Sequence, residues 1–292
     1  MSRLEQTTDQ TLFEKSVDAL RSGTETIEVL TRSITDELTD SELLGLLDGD
    51  TTFVTGLRQF ARHGYNHTPI VAGAVERLGL PGVRFTDGPR GIVMGNSTCF
   101  PVSVARGATW DTDLERDIGR AIGREGRAQG ANLFGGVCVN LLRHPAWGRS
   151  QETYGEDPVH LGAMGSALTR GVREHLMACV KHFALNSMEN ARFQVDVHVA
   201  DDDLHEVYLP HFRDVIEAGA EAVMAAYNSV NGQWCGDNPT LLTDILRDEW
   251  HFEGFVMSDF LFGHREPVES VAAGLDLEMT FVQQRGGTHP EA

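Results

Sequence analysis

The chain has 292 residues, 41% hydrophobic and 23% charged, which suits one large α/β barrel or two ordinary domains and supplies ample core material. Its formal net charge of −19 argues against nucleic acid or an anionic membrane as a partner, because both need basic patches. No apolar run approaches the ~18 residues of a membrane span, and the polar opening Met1-Ser2-Arg3-Leu4-Glu5-Gln6 lacks the apolar core of a secretory signal. Cys99, Cys138, Cys179 and Cys235 are widely spaced with no Cys-x-x-Cys pair. They read as thiols, with Cys138 and Cys179 buried in strands, and not as disulfides or zinc ligands. A cytoplasmic protein is the expectation.

Residues 1–60 read as a polar, helical lead-in packed on the outside of the main domain. Within it, Leu38-Thr39-Asp40-Ser41-Glu42-Leu43-Leu44 has the form of a capped helix start that stops at Gly49. Strands and helices alternate from about residue 65. Val83-Arg84-Phe85-Thr86 is a strand running into the turn Asp87-Gly88-Pro89-Arg90-Gly91, and a further strand is expected near residues 101–105. Thr112-Asp113-Leu114-Glu115 reads as a capping box opening a helix. Residues 132–140 hold a buried strand leading to Leu141-Leu142-Arg143-His144-Pro145, and Asp157-Pro158 opens the helix that follows. Met177-Ala178-Cys179-Val180 delivers Lys181 and His182 to a strand end. Phe193, Val195, Val197 and Val199 alternate as a half-exposed strand does. A helix from Leu204 to Ile216 is bent at Pro210, and Ala222-Val223-Met224-Ala225-Ala226 ends at Tyr227-Asn228. Asn238-Pro239 introduces another helix. Phe255-Val256-Met257 is a short buried strand closed by Ser258-Asp259.

Repeated strand–helix units with right-handed crossovers give a parallel sheet, open or closed. Notable side chains gather after the strands: Asp87, Arg143, Lys181 with His182, Tyr227 and Asp259. In a barrel of alternating strands and helices this is where chemistry is placed. Each has a bland alternative. Asp87 can stabilise its turn, Arg143 pair with a surface acid, His182 be a core histidine, Tyr227 pack, and Asp259 cap the next helix. Together they make a poor coincidence. No Gly-x-Gly-x-x-Gly follows a strand and no Walker loop is present, so no nucleotide cofactor is implied.

The order and wording of these segments resemble glycoside hydrolase family 3, in its β-glucosidase branch. The resemblance runs over residues 38 to 280. It is carried by Thr86-Asp87-Gly88-Pro89-Arg90-Gly91, by Asn140-Leu141-Leu142-Arg143-His144-Pro145, and by Trp147-Gly148-Arg149 through Gly155-Glu156-Asp157-Pro158. It continues in Lys181-His182-Phe183-Ala184-Leu185-Asn186, Met224-Ala225-Ala226-Tyr227-Asn228, Val256-Met257-Ser258-Asp259, and Gly274-Leu275-Asp276-Leu277-Glu278-Met279. It implies a (β/α)8-type TIM-like barrel with an N-terminal helical lead-in (residues 1–60, then a barrel domain at 61–292). The implied activity is that of a retaining exo-β-glycosidase without metal or cofactor, acting on a small glycoside or oligosaccharide. By position Asp259 is then the nucleophile, and Asp87, Arg143, Lys181, His182 and Tyr227 hold the terminal sugar. Lys181 and Arg143 are expected to keep Asp259 ionised.

Two departures from the family pattern stand out. Phe260 takes the place of a frequent Trp beside the nucleophile and offers the leaving group a smaller platform. A retaining enzyme also needs a second carboxyl about 5–5.5 Å from the nucleophile. In the β-glucosidase branch this lies in an α/β sandwich domain after the barrel, whereas the sequence ends at Ala292 after a short polar tail. A fragment, a partner domain or subunit supplying the acid, and a non-catalytic sugar-binding subunit are the accounts left open. The sister N-acetylglucosaminidase branch takes its acid from an Asp-x-His loop. Asp196-Val197-His198 has that spelling but lies in the alternating run, so it is expected to match by chance.

Overall fold

A computed structural model describes residues 10–279 together with 281 and 282; the polar opening and the tail at residues 283–292 lie outside the described residues. Four helices come first: α1 (Leu12–Ser22), α2 (Ile27–Asp36), α3 (Asp40–Leu46) and α4 (Phe53–His63). The capped start anticipated at Thr39 is present, since its hydroxyl accepts from Glu42 N while the Glu42 carboxylate accepts from Thr39 N. Thr11 and Glu14 cap α1 in the same way.

The strands are β1 (Ile70–Ala72), β2 (Val83–Thr86), β3 (Leu133–Cys138), β4 (Met177–Phe183), β5 (Asp196–Val197), β6 (Ala222–Ala225), β7 (Ser229–Val230), β8 (Gln233–Trp234) and β9 (Phe255–Met257). One sheet runs β1-β2-β3-β4-β6-β9, antiparallel between β1 and β2 and parallel elsewhere. Two extended segments close it. Leu277 bridges Met257 in parallel, Glu278 N donates to Leu47 O, Gly49 bridges Ala72, and Asp50 N donates to Val71 O. The result is a TIM-like barrel of eight staves. One stave, residues 47–50, comes from the segment that the sequence places outside the main domain; the helices before it are lead-in, but this tetrapeptide belongs to the barrel wall.

Side-chain alternation sorts the core into two parts. Phe85, Leu133, Cys179, Met224, Met257 and Leu277 fill the interior, while residues such as Val137, Val180, Val223 and Val256 face the helical layer. That layer is α5 (Ser103–Gly107), α6 (Thr112–Ala128), α7 (Pro158–Val172), α8 (Asp201–Asp203), α9 (Pro210–Glu217), the π-helical Thr240–Glu249 expected after Asn238-Pro239, and α10 (Pro267–Ala273).

Several local expectations change. The strand anticipated near residues 101–105 is instead the short helix α5. Arg106 is buried there, donates to the Pro89 and Pro101 carbonyls and pairs with Glu115 at 2.9 Å, which shapes a turn and not an extended edge. Helix α6 is capped by Asp111, whose carboxylate accepts from Leu114 N, and not by Thr112. Of the alternating run at 193–199 only β5 is a strand, and it joins β7 and β8 in a separate three-stranded ribbon. The helix expected to bend at Pro210 is interrupted by a π-helical turn, Leu204–Tyr208, after which α9 starts at Pro210.

Candidate active site

Alternation carries the barrel interior into the site. Phe85, Cys179 and Met257 point inward, and two residues further along each chain stand Asp87, Lys181 and Asp259. The same period that buries an apolar side chain inside the barrel therefore brings a charged one to its mouth.

Asp87 is held from all sides. Its backbone N donates to Asn66 Oδ1 at 2.7 Å. Its Oδ1 accepts from Lys181 Nζ at 2.6 Å and Gly88 N at 2.9 Å, and its Oδ2 from the Tyr65 hydroxyl at 3.0 Å. Gly88 has φ 129°, and a Cβ there would meet Gly91 O at 1.8 Å, so the turn after Asp87 requires glycine. Burial alone would raise the Asp87 carboxyl; the Lys181 ammonium, the Gly88 N–H and Arg149 outweigh it and hold it below the usual range. Burial likewise opposes the charge on Lys181, but Asp87 keeps it an ammonium.

His182 is 1% exposed. Asn140 pairs with its backbone, Oδ1 accepting from His182 N and Nδ2 donating to His182 O, both at 2.8 Å. Burial, with Arg149, Lys181 and Arg192 nearby, drives its pKa well down, so the ring is neutral.

Asp259 does not cap a helix: α10 begins at Pro267 after Glu266. Its Oδ1 accepts from Phe260 N at 2.7 Å, whereas the buried Oδ2 accepts no hydrogen bond among the described residues and lies 3.7 Å from His182 Nε2. Burial raises the Asp259 carboxyl, only partly offset by Arg149, Lys181 and the Phe260 N–H. The loop behind it folds back tightly, because a Cβ on Gly263 would meet Asp259 O at 2.2 Å. Trp234 Nε1 donates to Gly263 O at 2.8 Å, and Asp237 accepts from Arg265 N at 3.1 Å. The Tyr227 hydroxyl donates to Phe260 O, and the Phe260 ring packs edge-on against Phe85.

Arg143 is not with this group. It is exposed, and its guanidinium donates to the Tyr208 hydroxyl and lies 5.5 Å from that ring's centre. The arginine whose charge reaches Asp87, Lys181, His182, Tyr227 and Asp259 is Arg149, clamped by Glu152 at 2.8 and 3.1 Å. Sequence reading also passed over Tyr65, Asn66 and Asn140. Arg149 had a signal, its place in Trp147-Gly148-Arg149; Tyr65 and Asn66 lie at the edge of the lead-in with none. The His198 side chain is 80% exposed, just after β5, with Nε2 3.3 Å from Asp196 Oδ2.

Residues 53–285 match the model of the glycosyl hydrolase family 3 N-terminal domain. The chain belongs to glycoside hydrolase family 3. Over 215 residues it is 42% identical to a beta-glucosidase of Rhizobium radiobacter, covering 70% of this chain and 26% of that protein. Thermostable beta-glucosidase B of Acetivibrio thermocellus is 37% identical over 220 residues, covering 70% and 29%. Beta-glucosidase 3B of Thermotoga neapolitana, solved with α-D-glucose, superposes with a TM-score of 0.79 at 35% identity, covering 85% of this chain and 36% of that one. The family 3 chain thus spans between a quarter and about a third of the length of these relatives.

Proposed function

We propose that this family 3 barrel is the sugar-holding, nucleophile-bearing part of a retaining exo-β-glucosidase. The observation that carries the reading is Asp259 at the end of β9, with one carboxylate oxygen buried and unpartnered among cationic and imidazole groups. Asp87 accepts from sugar hydroxyls, and Lys181 and Arg149 donate to them. Asp259 Oδ2 attacks the anomeric carbon as the bond to the leaving oxygen breaks, forming a glycosyl ester. Binding of substrate expels water and leaves Arg149 and Lys181 as the charges that favour ionised Asp259. The acid that protonates the leaving group, and later activates water, is assigned to a partner domain or subunit, consistent with relatives three to four times longer than the matched region.

The test uses a dinitrophenyl β-glucoside, whose leaving group needs little protonation. The folded 292-residue chain should release about one phenolate per chain and then stall, because the base that activates water is assigned to the partner domain or subunit. Azide, which needs no base, should restart turnover and give a β-glycosyl azide. Asp259→Ala should show no burst. A folded, sugar-binding chain without a burst would support the non-catalytic subunit instead.

A further inference from the structure

Asn140 does more than brace the strand after β3. Its Oδ1 accepts from His182 N at 2.8 Å and stands 3.0 Å from His182 Nδ1, while its Nδ2 donates to His182 O at 2.8 Å. Turning the amide over would set an NH2 group against a backbone N–H and an oxygen against a carbonyl, so its orientation is fixed by the peptide it grips. An oxygen therefore faces Nδ1, and Nδ1 must carry the proton.

The other groups around the ring agree. The Cys138 thiol, 4.0 Å from Nδ1, is pushed up to about 12 by burial and stays neutral. Arg149, Lys181 and Arg192 all disfavour an imidazolium. On the far side, Nε2 faces Asp259 Oδ2 at 3.7 Å, beyond a hydrogen bond, as two acceptors would stand.

The structure assigns Asn140 as a positioning residue that locks His182 in its Nδ1–H tautomer and makes Nε2 a hydrogen-bond acceptor in the sugar site. This rests on the glucosidase reading for its consequence: Lys181 and Arg149 can only donate, so the hydroxyls they meet must accept, whereas the hydroxyl that meets His182 must donate. Specificity at that one carbon of the sugar is then for O–H as such, and an acceptor of similar size does not satisfy it.

The first arm of the test needs no substrate. Two-bond 1H–15N correlation spectra of the labelled chain, with His182 assigned by its loss in His182→Gln, should show a protonated Nδ1 and a bare Nε2, unchanged between about pH 8 and 6. A proton on Nε2, or an imidazolium, would overturn the assignment. Asn140→Asp keeps an acceptor in place but adds negative charge, and should convert the ring to imidazolium within that range. An unchanged ring in that variant would also overturn it, and if the variant fails to fold the wild-type spectrum decides alone.

The second arm measures binding of glucose and its singly deoxyfluorinated analogues. Fluorine accepts but does not donate, so one position should lose about tenfold in affinity, and that loss should vanish in His182→Ala. Fluorine tolerated at every position would overturn the acceptor role. A wild-type chain that binds no sugar would instead refute the glucosidase reading, leaving the ring spectrum to judge Asn140.

Discussion

Lys181 Nζ lies 2.6 Å from Asp87 Oδ1, joining two strand ends separated by 94 residues in the chain. The ammonium is almost wholly buried and the carboxylate largely so. Removing one partner of such a pair leaves the other uncompensated, at a cost of about 3 kcal/mol, while removing both costs less than the sum. Lys181→Met and Asp87→Asn should each lower stability in urea, and the double variant should recover at least about 1 kcal/mol of that loss. All three should lose sugar binding. Additive single effects would show that the pair is not energetically joined.

The two arginines make a direct comparison. Arg149→Ala removes a cation whose charge reaches Asp87, His182 and Asp259 and should slow formation of the glycosyl ester by about 10²-fold. Arg143→Ala removes an exposed contact to Tyr208 and should change the same rate by about twofold at most. The measurement is the burst rate constant on the activated glucoside. Equal losses would return Arg143 to the site.

Which arginine turns inward was not legible from the sequence, and the reason is physical. Residues 139–157 form a long irregular connection with no period to orient side chains; Glu152 draws Arg149 in, and Tyr208, from a distant helix, holds Arg143 out. Reading succeeded where a short strand stops at turn residues, and failed at the alternating run 193–199, of which only Asp196–Val197 is a strand. Val83–Thr86 and Phe255–Met257 have the observed ends because short apolar runs stop at turn residues, and the two-residue alternation then puts Asp87 and Asp259 at the mouth. Residues 47–50, Leu-Asp-Gly-Asp, carry no strand signal; their extended form is imposed by the neighbours they bond. Asn140 was quoted only as the start of a motif, since nothing in the sequence says that it will grip a residue 42 positions later.

Asp259 should be a liability to the fold. Its carboxyl is raised by burial, so the ionised form is disfavoured in the folded chain relative to the unfolded one. That penalty is absent when both states are protonated at low pH, and grows as pH rises through the unfolded and then the folded pKa. Asp259→Asn should therefore melt about 2 °C or more above the wild type at pH 7, with the gap shrinking on acidification. A gap that widens toward low pH would mean that the carboxylate is stabilised in the fold.

Asp237, pushed up to about 6 by burial, gives a second titration. It accepts from Arg265 N and Glu266 N at the end of the nucleophile loop. Because its folded pKa exceeds the ordinary value of about 4, stability from this group is fullest below pH 4 and is lost as pH rises to 6. Asp237→Asn should flatten that part of the stability profile. Denaturation midpoints at half-unit steps would show whether the difference between the two proteins changes over this window or elsewhere.

His198→Ala should alter steady turnover of an unactivated glycoside, measured with the domain or subunit that completes the site, by about twofold at most, as for an exposed substitution. A loss of about 10²-fold, the scale of a general acid, would bring the Asp196–His198 pair into the chemistry and favour the N-acetylglucosaminidase branch.

The seam of the barrel has a consequence for the order of folding. The stave at residues 47–50 is synthesised long before its partner at 277–278, to which it pairs across the seam. Until residue 278 leaves the ribosome, β9 has no neighbour on one side and the early stave can pair only with β1. A nascent or prematurely stopped chain thus exposes two unpaired backbone edges at once, which is the geometry that recruits foreign strands. Contacts of such high sequence separation also form slowly. Ribosome stalling just before residue 277 is therefore the point at which this fold is most dependent on chaperones.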